Sequence, residues 1–175
     1  MRTANHYVAV FVAFLASGIA LPIAGTPAPE SKAISGVISG DVQKLGFRAM
    51  LLKQAIKYNL AGSAQNTKEG TVQFTLQGDE NRIDQAVMDI RNGTKKSSNV
   101  IVSTSPAKLD PNLDKFTIIG WTSTSRNITH PYDLVFPLRT DDEPISKKAA
   151  KDVWHEILRN TLEGDDLNKL EDGDE

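Results

Sequence analysis

The stretch Ile38-Ser39-Gly40-Asp41-Val42-Gln43-Lys44-Leu45-Gly46-Phe47-Arg48 decides the reading of this chain, because a strand pattern breaks there into a loop and the loop opens a helix. Upstream, Ile34, Gly36 and Ile38 alternate with Ser35, Val37 and Ser39, a period of two that reads as a strand. Downstream, Phe47, Leu51, Ala55 and Tyr58 repeat at helical spacing, and Met50, Leu52 and Ile56 widen the apolar stripe. The first turn of such a helix has backbone N–H groups with no partner inside the helix, at the positive end of its dipole, and a phosphate oxygen suits them. Arg48 puts a cation at that same end. Two readings of it stay open. Either an anion lies between the arginine and the N–H groups, or the side chain reaches into water at a cost of roughly a few tenths of a kcal/mol. This segment alone favours the second.

Before the strand, Arg2 and the apolar run at 7–21 read as a cleaved secretory signal, too short for a membrane span and followed by small residues around Gly18 and Ala20 or Ala24 and Gly25. An uncleaved N-terminal anchor is the alternative. The expected location is accordingly secreted or periplasmic, with no stable membrane span after cleavage. Thr26-Pro27-Ala28-Pro29-Glu30 reads as an extended leader. Removing the signal leaves roughly 150 residues, the size of one domain with some extra length. With no cysteine, the chain has no disulfide, thiol nucleophile or cysteine metal site, and a net charge of -2 gives no footprint for nucleic acid. His6, His130 and His155 are far apart and show no ligand spacing, so no metal is expected.

After the helix, Asn59 and Gly62 read as stop signals. Residues 62–66 and 71–77 read as a hairpin, with Val72, Phe74 and Leu76 alternating against Gln73, Thr75 and Gln77. Asp79 offers an N-cap to a helix whose stripe is Ile83, Ala86, Val87 and Ile90, closed by Asn92-Gly93. Strands at 100–102 and 116–119 follow. The order predicts an α+β, ferredoxin-like split βαβ (βαββαβ) sandwich with an added strand and a C-terminal helix. In that plan the first two strands run parallel with the third between them. Their C-terminal ends then lie about 10 Å apart on one sheet edge, which brings Asn66 beside the loop of Arg48.

The two blocks, residues 40–48 and 62–72, resemble the signature blocks of the acylphosphatase family at the right distance, within a similarity covering roughly residues 33–120. The resemblance implies that the backbone of Gln43, Lys44, Leu45, Gly46 and Phe47 cradles a phosphate, that Arg48 clamps it, and that Asn66 positions the attacking water. It implies hydrolysis of acyl phosphates by a monomer without metal or other cofactor, the partner being a small acyl phosphate or another phosphate anion. Lys44 stands where the family usually has glycine, and Ser63 where it often has an aromatic. A loop that turns its N–H groups inward often needs positive φ, so Lys44 either bears strain and adds a charge near the phosphate, or leaves an inactive binding module.

The organisation expected is a signal at 1–25, a leader at 26–32, an acylphosphatase-like domain at 33–122, an extension at 123–163 and an acidic tail at 164–175. In the extension, 127–132 read as loop, and Leu134, Val135 and Phe136 as a short edge run limited by Pro137. Ser146 caps a helix with the stripe Ala150, Val153, Trp154, Ile157 and Leu158, expected to pack on the same molecule. From Glu163 onward the acids read as a solvated tail. Three classes of function compete: an exported phosphohydrolase, a catalytically inactive anion- or partner-binding module, and an interaction protein acting through its C-terminal helix and tail. Arg48 favours the first two, and Lys44 separates them.

Overall fold

A computed structural model of the protein describes residues 30–43 and 46–170; the expected signal, most of the leader, Lys44, Leu45 and residues 171–175 lie outside them. In chain order the elements are β1 (Ser31–Asp41), α1 (Phe47–Tyr58), β2 (Ala61–Asn66), β3 (Val72–Asp79), α2 (Glu80–Arg91), β4 (Ser98–Pro106), β5 (Lys115–Ser123), a 3-10 turn (Thr124–Arg126), β6 (Ile128–Pro137), α3 (Lys147–Thr161) and the short α4 (Asp165–Asn168). The sheet order is β4-β1-β3-β2-β5-β6. The first four are the split βαβ arrangement, with β3 antiparallel to both β1 and β2. Beyond β2 come two strands rather than one, β5 parallel to β2 and β6 antiparallel to β5.

Alternation fixes which face of the sheet is covered. Val72, Phe74 and Leu76 are buried, while Gln73 is exposed and Thr75 and Gln77 are half-buried. Ile83, Ala86, Val87 and Ile90 of α2 close over that face, with Asp79 accepting from the Arg82 N–H as N-cap. The first helix is apolar around more of its circumference, burying Phe47, Leu51, Leu52, Ala55, Ile56 and Tyr58, because α2, α3 and the sheet all pack against it. Ser146 caps α3 through the Ala149 N–H, and the Trp154 of α3 meets Trp121 of β5 edge-on, centroids 6.1 Å apart. Gly62 does not stop α1. It lies within β2, where an added Cβ would come 2.0 Å from the Thr75 carbonyl oxygen.

Two expectations for the C-terminal part are corrected. Residues 128–132 belong to β6, not to a loop: Ile128 is buried opposite Ser123 and Tyr132 pairs with Trp121. The signals that suggested a loop include Pro131, but β6 is an edge strand, where a missing N–H removes no ladder bond on the open side. The start of the tail is also packed. Leu167 and Leu170 rest on the core, and Asp166 accepts from the Tyr132 hydroxyl at 2.9 Å and from Lys169 Nζ at 2.7 Å. Two leucines among the acids supply an apolar anchor that a charge count overlooks.

Asn59 ties the extension to the first helix. It is the C-cap of α1 in left-handed geometry (φ 54), and is 7% exposed. Its Nδ2 faces the carbonyls of Arg139 (3.2 Å) and Asp141 (3.4 Å) and Asp142 Oδ1 (3.3 Å), and its Oδ1 accepts from the Arg139 N–H at 2.8 Å. Asn59→Ala is expected to cost about 2–4 kcal/mol, from lost hydrogen bonds and a Cβ residue without local compensation in the left-handed region. Asn59→Gly should recover the backbone part, and urea denaturation of both variants checks the split.

Candidate functional site

Three strands run parallel in this sheet, so β1, β2 and β5 deliver their C-terminal ends to one edge. From β1 comes the loop of residues 42–46; from β2, Asn66; from β5, the backbone around Gly120. The register makes the proximity specific. Ile38 and Asn66 both pair with Val72, so the strand leading into the loop and Asn66 flank one residue of β3. On the other side Ala64 is level with Ile118, which puts Asn66 and Gly120 each two residues further along neighbouring strands.

The loop is fastened at both described ends. Val42 is buried, and Gln43 Nε2 donates to the carbonyls of Thr67 (2.7 Å) and Thr71 (2.9 Å) in the β2–β3 turn. That turn is closed by Thr67 and Thr71, whose hydroxyls are 2.9 Å apart. The Gln43 side chain is thereby committed to holding the turn, and what it offers an anion is backbone. Gly46 is the N-cap of α1 at φ 79, and no side chain caps the helix there. Both α2 and α3 do have a side-chain cap. No acid stands in the first turn of α1. Phe47 turns its ring into the core. Lys44 and Leu45 lie outside the described residues, so the backbone expected to be strained at Lys44 is among those not described.

Arg48, the second residue of α1, does not reach into water as the first segment alone suggested. Its Nη1 donates to the carbonyls of Ile119 (3.3 Å) and Gly120, and its Nη2 faces Thr122 Oγ1 at 3.5 Å. All three acceptors are neutral, and among the described residues no carboxylate pairs with it. Burial lowers its pKa below the ordinary arginine value, with no neighbouring charge acting the other way. A guanidinium stays protonated in proteins, so the desolvation cost is borne by a cation with no counter-charge among the described residues. Its Nε–H makes no hydrogen bond to the described residues. One edge of the fork is held by β5 and the other remains for two oxygens of an anion.

Asn66 closes β2, half-buried, and its amide makes no hydrogen bond to the described residues. Toward the described residues it is therefore unoccupied as both donor and acceptor. Sequence reasoning did not single out Ile119, Gly120 and Thr122 as the partners of Arg48. A lone glycine within a strand pattern, Ile118-Ile119-Gly120-Trp121, was the signal for them, since it marks a bulge or a close approach of backbone. Among the described residues no group of three or more His, Asp or Glu side chains is placed to hold a metal ion.

A family model described as Acylphosphatase matches residues 34–118. The acylphosphatase of Chlorobaculum tepidum is 33% identical over 88 residues, spanning 50% of this chain and 96% of that protein. That of Methanocella arvoryzae is 39% identical over 62 residues, spanning 35% of this chain and 70% of that protein. The crystal structure of acylphosphatase from Bacillus subtilis aligns with 51% of this chain and 98% of its own, at 28% identity and a TM-score of 0.47.

Proposed function

Because this chain belongs to the acylphosphatase family, we propose that it hydrolyses the carboxyl-phosphate bond of acyl phosphates, using Arg48 as the clamp and Asn66 to position water. The observation that carries the reading is the charge of Arg48, which no carboxylate among the described residues pairs. A part-buried cation held, among the described residues, by neutral oxygens at the uncapped positive end of α1 gains most from a dianionic phosphoryl group. The N–H groups of the 43–47 loop would supply the rest of the cradle.

The reaction asks for positioning and charge stabilisation rather than a protein nucleophile. Water attacks phosphorus opposite the acyl oxygen. The bond between phosphorus and that oxygen breaks, the carboxylate leaves with the electron pair, and the water proton passes to a phosphoryl oxygen or to solvent. Asn66 is no base at neutral pH, but its amide donates to and accepts from the water and so fixes the line of attack. Arg48 and the loop N–H groups stay with the phosphoryl oxygens as charge moves toward the leaving group.

Metal-free turnover of benzoyl phosphate by the wild-type protein tests this. Saturable hydrolysis is expected, with kcat falling about a hundredfold or more in Asn66→Ala, as for a misplaced reactant. A well-folded protein that binds phosphate without turning over benzoyl phosphate would instead be an inactive anion-binding module.

A further inference from the structure

We propose that Asp133, on the appended strand β6, is a positioning residue for Arg48 and acts through the backbone at Gly120. The inference rests on Arg48 being the phosphate clamp. Between the pairs Ile118↔Leu134 and Trp121↔Tyr132, β5 carries one residue more than β6, so the ladder is interrupted at Ile119 and Gly120. Gly120 takes φ +59, and an added Cβ there would meet nothing within 4 Å, so backbone geometry rather than crowding explains the glycine.

The consequence is a re-aimed peptide unit. The Gly120 N–H is accepted by Asp133 Oδ1 at 2.8 Å. The carbonyl of that same peptide, on Ile119, accepts from Arg48 Nη1, and so does the next carbonyl, on Gly120. In a trans peptide the N–H and C=O point oppositely, so a carboxylate on one side and a guanidinium on the other hold the plane between them. The carboxylate also polarises the peptide, which strengthens its carbonyl as an acceptor. Asp133 is exposed and meets the bulge at the N–H of the peptide whose carbonyl accepts from Arg48. It orients the clamp without touching the phosphate. The two strands beyond β2 thus contribute to the site: β5 provides the acceptors of Arg48, and β6 fixes their direction.

The test uses the full chain and three variants: Asp133→Ala, Asp133→Asn, which keeps a side-chain carbonyl oxygen as acceptor, and Arg48→Ala for assignment. Inorganic phosphate binding is measured by calorimetry, benzoyl phosphate kinetics by absorbance, and the Arg48 guanidinium signals by 15N NMR without ligand. Asp133→Ala is expected to weaken phosphate about threefold to tenfold and to raise KM in proportion, the size of one hydrogen bond, while Asp133→Asn stays within about twofold of wild type. Slowly exchanging Nη signals of Arg48 should be present in wild type, broadened or lost in Asp133→Ala and retained in Asp133→Asn. A role confined to stabilising the bulge would lower the unfolding midpoint and leave KM, phosphate affinity and the Arg48 signals unchanged, and that result overturns the inference. The NMR arm needs no substrate. It decides the role of Asp133 even if wild type fails to hydrolyse benzoyl phosphate, an outcome that counts against the proposed activity instead.

Discussion

Arg48→Ala is expected to lower kcat/KM for benzoyl phosphate by about a thousandfold or more, as other arginines that stabilise phosphoryl transfer do. The loss has two parts. The bidentate bonds to the phosphoryl group disappear, and so does the cation that opposes the phosphoryl oxygens beside the uncapped end of α1. Arg48→Lys keeps the charge but not the planar fork, and should recover about tenfold of the loss. Stability should move little. The substitution gives up the bonds to Ile119, Gly120 and Thr122, but it also relieves the burial of a cation with no counter-charge among the described residues, and these oppose each other to within about 1 kcal/mol. Steady-state kinetics beside urea denaturation reads both quantities. A variant that loses activity only by unfolding would contradict the assignment, and so would one that keeps full activity.

Trp154→Ala should produce the largest loss of stability, about 3–5 kcal/mol, the range for truncating a large aromatic in a core. Trp154 is 2% exposed and meets Trp121, itself 4% exposed, at 76° between ring planes. The Lys53 ammonium of α1 also lies over this ring, 5.4 Å from its centroid. Lys53 is an awkward cation: burial lowers its pKa first, then the nearby charges of Lys151, Arg126 and Lys147. The indole face is a favourable contact that this ammonium does make, so truncation removes a cation–π partner as well as core volume. Water entering the cavity would ease the burial of Lys53 and return part of the cost. Urea unfolding measures the balance; a change under about 1 kcal/mol would mean that α3 is not part of the cooperative core.

Much of this was readable in the chain because local chemistry and tertiary environment agreed. The alternation at Val72, Phe74 and Leu76, the stripe from Ile83 to Ile90 and the caps at Asp79 and Ser146 each follow from one face needing burial and one end needing a partner. β4 was legible only at 100–102, since most of its residues face solvent and an exposed edge strand leaves no alternating pattern. Pro131 and Asn127 obscured β6, although the former is harmless at an edge and the latter closes the 3-10 turn in left-handed geometry. At the site, the sequence placed Arg48 and Asn66 on one sheet edge, and it did so through topology. The partners of Arg48 were hidden because they are backbone carbonyls, which no residue letter announces; only Gly120 hinted at them.

The order of strands in the sheet differs from their order along the chain, and this bears on how the protein reaches its fold. β1 begins at Ser31, yet its two neighbours are β3 and β4, the second ending at Pro106. A growing or refolding chain can form the β2–β3 and β5–β6 hairpins early, since each closes a short loop. The strand that leads into the 42–46 loop, β1, has no such local partner. Its pairing waits on non-local loop closure, from Ile38 to Val72 at the least and from Ile34 to Pro106 at the most, the kind of contact that slows folding relative to helical bundles. The edge that carries Arg48 and Asn66 is therefore completed on the β1 side only by non-local pairing, onto a β2–β3 hairpin that can already exist to receive it.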